Sequence, residues 1–239
     1  MRYSYKNGIH IAEVPVKDFR VILYDARKKS MGKNRCTGGF FGNYSEKGNK
    51  FTLPVGHLVC DYAATDDWTR FYCEQRGQFT GDKFRFDSGA WEYMNNLHGK
   101  AISTLVIEDG KANVQDMTNA PESATYAISG IPIMRNGEDV IFKTYVKGQG
   151  WDASSLYATW HIFVGIKEND AKTLYVMGMK TTTGNMIRGM EAFKKFKPLG
   201  FRDIIKLDGG GSFFFNAAGK QVSTLENRRI CTILDFNPK

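Results

Sequence analysis

Long apolar segments are absent from this chain of 239 residues. A helix that crosses a bilayer needs about eighteen or more consecutive apolar residues, and no stretch of the sequence approaches that length. The first residues, Met1 to Lys6, also lack the apolar run of a signal peptide. The sequence therefore predicts a soluble protein without a membrane span, located in the cytoplasm or else encoded by a phage and delivered with it. Export by a route that the sequence does not show, or origin from a longer precursor, stays an alternative.

Metal and disulfide signatures are missing as well. The four cysteines show none of the short Cys or His spacings that hold zinc. Four cysteines in a chain of this length do not require disulfides, so we expect buried free thiols. We also expect no metal and no cofactor.

Proline is scarce, with 6 residues against 25 glycines, which favours many tight turns between short strands. Asp109-Gly110 separates two apolar runs, and Asn136-Gly137 does the same, an arrangement typical of β-hairpins. Two more hairpins are predicted, one joining 162–166 to 174–177 and one turning at 217–219.

Helical periodicity is limited to residues 185–197, with a weaker helix predicted at 91–97. We found no repeat and no linker-like change of composition. The sequence therefore predicts one α+β domain over residues 1–239. We expect a mixed, strongly curved β-sheet with many hairpins and few helices, carrying a polar, aromatic insertion at about 62–100.

The charge is strongly positive, with a formal net charge of +8 and a pI near 9.2. Such a balance favours anionic partners. Much of the excess lies in one run without acidic residues, which indicates either a solvated loop or an anion-binding segment. The run comprises Arg27, Lys28, Lys29, Lys33 and Arg35. No nucleic-acid-binding motif is present, so nucleic acid is not the expected partner.

One glycine-rich segment, Asp208-Gly209-Gly210-Gly211-Ser212, follows the strand-like residues 203–207. Successive glycines let the backbone adopt positive φ and approach a ligand closely, and their amides can point at one anion. Taken alone, such a turn is more often structural than catalytic. Its sequence context changes this interpretation.

Five other short motifs accompany the glycine segment in a fixed order, and together they resemble the phosphodiester glycosidase family. The resemblance covers roughly residues 10–236, with 62–100 matching poorly. The motifs are Gly38-Gly39-Phe40-Phe41, Pro54-Val55-Gly56, Ser129-Gly130, Trp160-His161 and Arg228.

The resemblance implies hydrolysis of a sugar-1-phosphodiester at the anomeric carbon, on a small or polymeric substrate of bacterial or phage context. Glycan, teichoic-acid-like and nucleotide-sugar-like substrates all fit. Because a phosphate ester leaves without protonation, one carboxylate and an electrostatic clamp suffice. The catalytic candidates are Asp208, His161 and Arg228. The substrate-binding candidates are Arg35, Thr37, Gly38, Gly39, Phe40, Phe41, Ser129, Gly130, Gly209, Gly210, Gly211 and Ser212.

Two positions depart from the family pattern. Thr37 stands where family members usually have Asn, and His161 stands where they usually have Arg. A histidine does not reproduce the two-pronged phosphate binding of an arginine. Either the substrate differs, or another basic residue such as Arg35 or Arg228 compensates, or activity is weakened. The alternative function is a non-catalytic module that binds a phosphorylated glycan or nucleotide. The sequence does not indicate an oligomeric state.

Overall fold

The computed structural model describes most of the chain. The described residues are 1–46, 48–63, 71, 73–75, 77–87, 97, 99–140, 148–151, 159–181 and 188–238. The weaker helix predicted at 91–97 lies outside them except for Leu97, and so do the first three residues of the helix predicted at 185–197.

Short strands dominate the described residues. In chain order they are β1 Arg2–Lys6, β2 Ile9–Pro15, β3 Arg20–Arg27, β4 Arg35–Thr37, β5 Phe41–Glu46, β6 Asn49–Pro54, β7 Leu58–Tyr62, β8 Gln78–Thr80, β9 Lys83–Phe86, β10 Ile102–Glu108, β11 Lys111–Met117, β12 Tyr126–Ser129, β13 Ile131–Arg135, β14 Glu138–Asp139, β15 Trp160–Lys167, β16 Asp170–Lys180, β17 Phe201–Gly209, β18 Phe214–Ala217, β19 Lys220–Ser223 and β20 Arg229–Asp235. The helix α1 spans Arg188–Phe196.

The strands form two large sheets and a two-stranded ribbon of β5 and β6. The smaller large sheet has seven antiparallel strands in the order β1-β2-β16-β15-β17-β13-β14. The larger sheet has eleven strands, in the order β11-β10-β12-β7-β3-β20-β4-β18-β19, with β9 and β8 branching from β7. In this sheet β3 and β7 form a parallel pair. β17 thus lies inside the seven-stranded sheet, between β15 and β13.

The period of two along each strand divides the core into layers. In β16, Leu174 and Val176 belong to a buried cluster shared by both large sheets, whereas Tyr175 and Met177 belong to a second cluster. Ala192 and Phe196 of α1 also belong to that second cluster. The seven-stranded sheet therefore packs against the larger sheet on one face and against α1 on the other.

The predicted α+β class is wrong, because strands make up 57% of the structure and helices 12%, which is a mostly-β fold. The error has a physical cause. The expected single curved sheet is replaced by two sheets that bury their apolar faces against each other, so the core needs little helical cover. Whether the whole chain is one domain stays a prediction.

The local predictions were more accurate. All four predicted hairpins are confirmed, with β10–β11 turning at Asp109-Gly110 and β13–β14 at Asn136-Gly137. All four cysteines are buried free thiols, as expected. In the part of the chain that the structure describes, no helix is long and apolar enough to span a membrane.

Candidate functional site

The glycine segment forms a tight connection between the two large sheets. β17 ends at Gly209, and one 3-10 turn, Gly210–Ser212, leads towards β18. Gly210 has a φ of +59°, a conformation that favours glycine. A Cβ atom on Gly209 would lie 2.3 Å from the carbonyl oxygen of Trp160, so β15 approaches the turn too closely for a side chain there.

Asp208 is the carboxylate at the start of this turn. Its backbone amide donates to the carbonyl of Gly38 at 3.1 Å, which ties β17 to the chain after β4. Burial raises the pKa of the Asp208 carboxyl above its ordinary value. The charge of Lys206, hydrogen bonds from the Gly209 amide and the Ser212 side chain, and the charge of Arg228 oppose that rise. Asp208 is therefore a carboxylate held among donors and cations.

Arg228 covers the turn from the loop before β20. A Cβ atom on Gly211 would lie 2.6 Å from Nε of Arg228 and 2.3 Å from Oε2 of Glu226. Nε of Arg228 donates to that Glu226 oxygen, and both side chains are more than half exposed. A guanidinium and a carboxylate thus lie together on the surface of Gly211.

Lys28 supports the same turn from within the protein. Its side chain is 2% exposed, and its ammonium donates to the Gly211 carbonyl at 2.9 Å. Two further bonds, of 2.9 and 2.7 Å, reach the carbonyl and hydroxyl oxygens of Thr224. Lys28 is therefore a buried residue of the basic run that stabilises the turn, whereas Lys29 and Lys33 are exposed.

Lys206 is a cation that sequence reasoning did not select. Its side chain is 2% exposed, and Nζ donates to the Leu207 carbonyl at 3.0 Å and lies 4.4 Å from the centre of the Phe40 ring. Burial lowers the pKa of Lys206 from 10.5 to about 7, and the charge of Asp208 opposes that shift. A signal was present, because a lysine between Ile205 and Leu207 in a predicted strand carries a charge into an apolar layer.

Thr37, Gly38 and Gly39 lie beside the site and hold its backbone in place by hydrogen bonds. The buried hydroxyl of Thr37 donates to the Ser212 carbonyl at 2.6 Å and accepts from the Phe214 amide at 3.1 Å. The amides of Gly38 and Gly39 donate to the carbonyl and hydroxyl oxygens of Thr232. These residues fix the path of the turn and its neighbour β20.

The adjacent aromatic residues Phe40 and Phe41 pack in different parts of the protein. Phe40 packs beside Lys206 and 5.4 Å from the Trp151 ring, whereas Phe41 begins β5 and packs against the cluster between the sheets. Phe40 therefore lies at the candidate site through its contact with Lys206.

Ser129, Gly130 and Arg35 make internal contacts. The Ser129 hydroxyl lies 2.8 Å from the His57 amide and 2.8 Å from the Thr104 hydroxyl. A Cβ atom on Gly130 would lie 2.5 Å from the Lys206 carbonyl oxygen, so Gly130 permits β13 to pack closely on β17. Nε of Arg35 donates to Asp235 at 2.7 Å, and Arg35 also donates to the Met31 carbonyl. Arg35 therefore has a structural ion pair.

His161 lies beside the glycine turn but is buried. It stands opposite Gly209 in the β15–β17 ladder, and its side chain is 2% exposed. Nε2 lies 3.1 Å from the Thr181 hydroxyl. Its backbone therefore forms one wall of the turn, and its imidazole belongs to an internal contact.

The structure thus brings together Asp208, the glycine turn, Ser212, Arg228, Phe40 and the backbone of His161, and it adds Lys206, Lys28 and Glu226. Among the described residues, no group of three His, Cys, Asp or Glu side chains could hold a metal ion. The chemistry available here is that of two carboxylates, Asp208 and Glu226, a hydroxyl and cations of two kinds.

The chain matches known proteins through its fold and not through its sequence. No protein-family model and no curated protein sequence matches this chain. Solved structures with the same fold do match. One, from Burkholderia pseudomallei, has a TM-score of 0.52 and 13% identity and covers 96% of this chain and 74% of its own.

A second solved structure is the zebrafish N-acetylglucosamine-1-phosphodiester alpha-N-acetylglucosaminidase, a catalytic domain auto-inhibited by its pro-peptide. The match has a TM-score of 0.63 and 18% identity, and covers 97% of this chain and 77% of that one. A match at this level of identity shows that the two proteins have the same fold.

Proposed function

We propose that this protein is a hydrolase that cleaves a sugar-1-phosphodiester at the anomeric carbon, at the site formed by residues 208–212. One observation carries the proposal: the Asp208 carboxyl lies at a glycine turn, with the charges of Lys206 and Arg228 acting on it. The fold shared with a zebrafish enzyme named for a sugar-1-phosphodiester supports it.

The charges suit the chemistry of this bond. A phosphate ester is a weak base, so it departs from the anomeric carbon without a proton from an acid. What the reaction needs is stabilisation of negative charge on the departing phosphate, and cations held in a partly buried site supply it. Arg228 is the exposed cation on the turn, and Ser212 adds a hydroxyl.

Asp208 has one of two roles in this proposal. It acts as a base towards the attacking water, or it holds a hydroxyl of the sugar. A carboxyl whose pKa is raised by burial is a stronger base than an ordinary carboxylate, which suits proton transfer. The buried His161 contributes by shaping the turn, through its contact with Gly209.

A second candidate function is a binding module for the same class of ligand. The burial of His161 and the ion pair of Arg35 favour it, because these two side chains are held in internal contacts. The site would then bind a phosphodiester through Arg228 and the glycine turn without hydrolysing it.

Turnover of a defined substrate separates these functions. The methyl phosphodiesters of N-acetylglucosamine and glucose are incubated with the protein, and release of free sugar and methyl phosphate is measured. We expect Asp208→Asn to lower the rate roughly 10²- to 10⁴-fold. Asp109→Asn is the matched control, because Asp109 is exposed in a turn with a φ of 49° that asparagine tolerates.

The outcomes are distinct. Turnover that depends on Asp208 and survives Asp109→Asn supports the hydrolase. Binding of both esters without release of sugar supports the binding module, and unchanged turnover in Asp208→Asn would contradict the role given to this carboxylate.

A further inference from the structure

Lys206 has more hydrogen-bond donors than the described residues satisfy. A lysine ammonium carries three N–H donors. Within the described part of the chain, the carbonyl of Leu207 is the one acceptor that Nζ contacts, at 3.0 Å. Buried donors without acceptors are costly, so they are rare in folded proteins unless a ligand or water completes them. Two donors of Lys206 therefore have no acceptor among the described residues, and a ligand or water would complete them.

Among the described residues, few charged groups surround Lys206. On the adjoining strands it is opposite Ile131 of β13 and Phe163 of β15, which carry no charge. The Phe40 ring covers it. Asp208, on its own strand, is the opposite charge that acts on it. In the described part of the chain, the other charged or titratable groups around this end of the sheet are His161 of β15, the Glu226–Arg228 pair on Gly211, and Lys28, which donates to the Gly211 carbonyl.

We propose that Lys206 binds a phosphate oxygen of the ligand, and so determines the specificity of this site for a phosphodiester anion. The inference rests on the proposed function, and it names the group that recognises the phosphate. An ammonium buried beside an aromatic ring, with two donors unmatched among the described residues and one carboxyl near it, is arranged to donate to a singly charged oxyanion.

The titration of Lys206 gives this binding a characteristic pH dependence. Because burial lowers the pKa of Lys206 to about 7, the amine loses its charge as the pH rises above neutrality. The anion binds the charged form, so binding above that pH draws a proton from solvent. A phosphodiester keeps its single negative charge over this range. Its affinity should therefore fall as the pH rises from 7 to 9.

Dimethyl phosphate tests this directly, because it is a diester anion without an anomeric bond to cleave. Its dissociation constant is measured by NMR titration at pH 6, 7, 8 and 9. For the wild type we expect it to increase roughly ten-fold or more between pH 7 and 9, since the charged fraction falls about ten-fold per pH unit above the pKa.

Variants identify the group responsible. Lys206→Arg, which stays charged, should bind with little change between pH 7 and 9. Lys206→Met should bind about ten-fold more weakly at pH 6 and lose the pH dependence. Lys111→Met removes an exposed lysine in the β10–β11 hairpin and should follow the wild type. Thermal unfolding verifies that each variant is folded, and Lys206→Arg decides the question if Lys206→Met is not.

Several results would overturn the inference. They are the absence of dimethyl phosphate binding by the wild type, wild-type affinity at pH 6 in Lys206→Met, and an unaltered pH profile in Lys206→Arg. Hydrolysis of the sugar phosphodiester is a separate readout. Turnover with binding independent of Lys206 rejects this inference alone, whereas Lys206-dependent binding without turnover rejects the hydrolase alone.

Discussion

Two buried lysines at the glycine turn, Lys28 and Lys206, have the same exposure of 2% but different surroundings. The ammonium of Lys28 has three protein acceptors, two of them from Thr224 and one from Gly211. The ammonium of Lys206 has one acceptor among the described residues, the Leu207 carbonyl. The number of acceptors, and not the degree of burial, separates a lysine that holds the fold from one that is available for binding.

Lys28 and Lys206 also differ in their electrostatic environments. Burial lowers the pKa of both lysines, and for Lys28 the charge of Glu226 opposes that shift while the charge of Arg228 adds to it. Lys206 has the larger change, to about 7, because the positive charge is enclosed with little hydrogen bonding in return. We therefore expect opposite effects on stability when the two lysines are replaced.

The largest expected effect is the pH dependence of stability that Lys206 causes. Its pKa is about 7 in the folded protein against an ordinary value of 10.5, so the unfolded chain binds more protons between those limits. The free energy of unfolding should therefore increase with pH from 7 to 10 in the wild type. Lys206→Met should lack this increase, and at pH 7 it should gain the few kcal/mol that burial of the charge costs, less what Asp208 loses without its cation. Urea denaturation at pH 7, 8, 9 and 10 measures both, and parallel curves would contradict the account.

The replacement Lys28→Met should act in the opposite direction. It removes the ammonium that donates to the Gly211 and Thr224 carbonyls, and the Gly211 carbonyl then keeps the Thr224 hydroxyl as a donor. We therefore expect a loss of about 2 to 4 kcal/mol in the free energy of unfolding at pH 7. The control is Lys29→Met, because Lys29 is the exposed neighbour. It should change stability by less than about 0.5 kcal/mol. Equal effects of Lys28→Met and Lys29→Met would remove the distinction between the two lysines.

Replacement of Glu226 tests the side of the turn where the ligand is proposed to bind. Its carboxylate lies on Gly211 and pairs with Arg228, so it competes with an incoming anion. Glu226→Gln should tighten dimethyl phosphate binding about three- to ten-fold, a modest change because the pair is exposed. Glu138→Gln, which removes an exposed glutamate from β14, serves as the control. Weaker binding in Glu226→Gln would show that this carboxylate helps to form the site.

The smallest effect is expected for Thr224→Val. The substitution removes the hydroxyl that accepts from Lys28 and donates to the Gly211 carbonyl, and keeps the carbonyl of residue 224. We expect a loss of about 1 kcal/mol in the free energy of unfolding. A loss as large as that of Lys28→Met would indicate that the hydroxyl accounts for most of the support given to the turn.

The hairpins were predictable because their signals are local. Asp109-Gly110 and Asn136-Gly137 each adopt positive φ at both turn residues, which matches the twist of the strands they join. The fold class was not predictable in the same way. Pairing of β17 with β13 and β15, and burial of one large sheet against the other, depend on contacts between distant parts of the chain.

The candidate site shows the same limit. Asp208 and the glycines stand out in the sequence because a turn of this composition is a local pattern. The acceptors of Lys28 lie 183 and 196 residues further along the chain. The sequence of the basic run around Lys28 therefore does not reveal that this lysine is buried. Compensation for the unexpected His161 was sought in Arg35 and Arg228, whereas the structure adds the buried Lys206. The assignment of the site residues to catalysis and binding stays a prediction.

The most direct measurement is a crystal structure of Asp208→Asn with the methyl phosphodiester of N-acetylglucosamine bound. The account predicts a phosphate oxygen within about 3 Å of Nζ of Lys206, a second contact with Arg228, and the anomeric carbon facing residue 208. A ligand bound away from residues 206–212, or a sugar whose anomeric carbon points away from residue 208, would contradict the account.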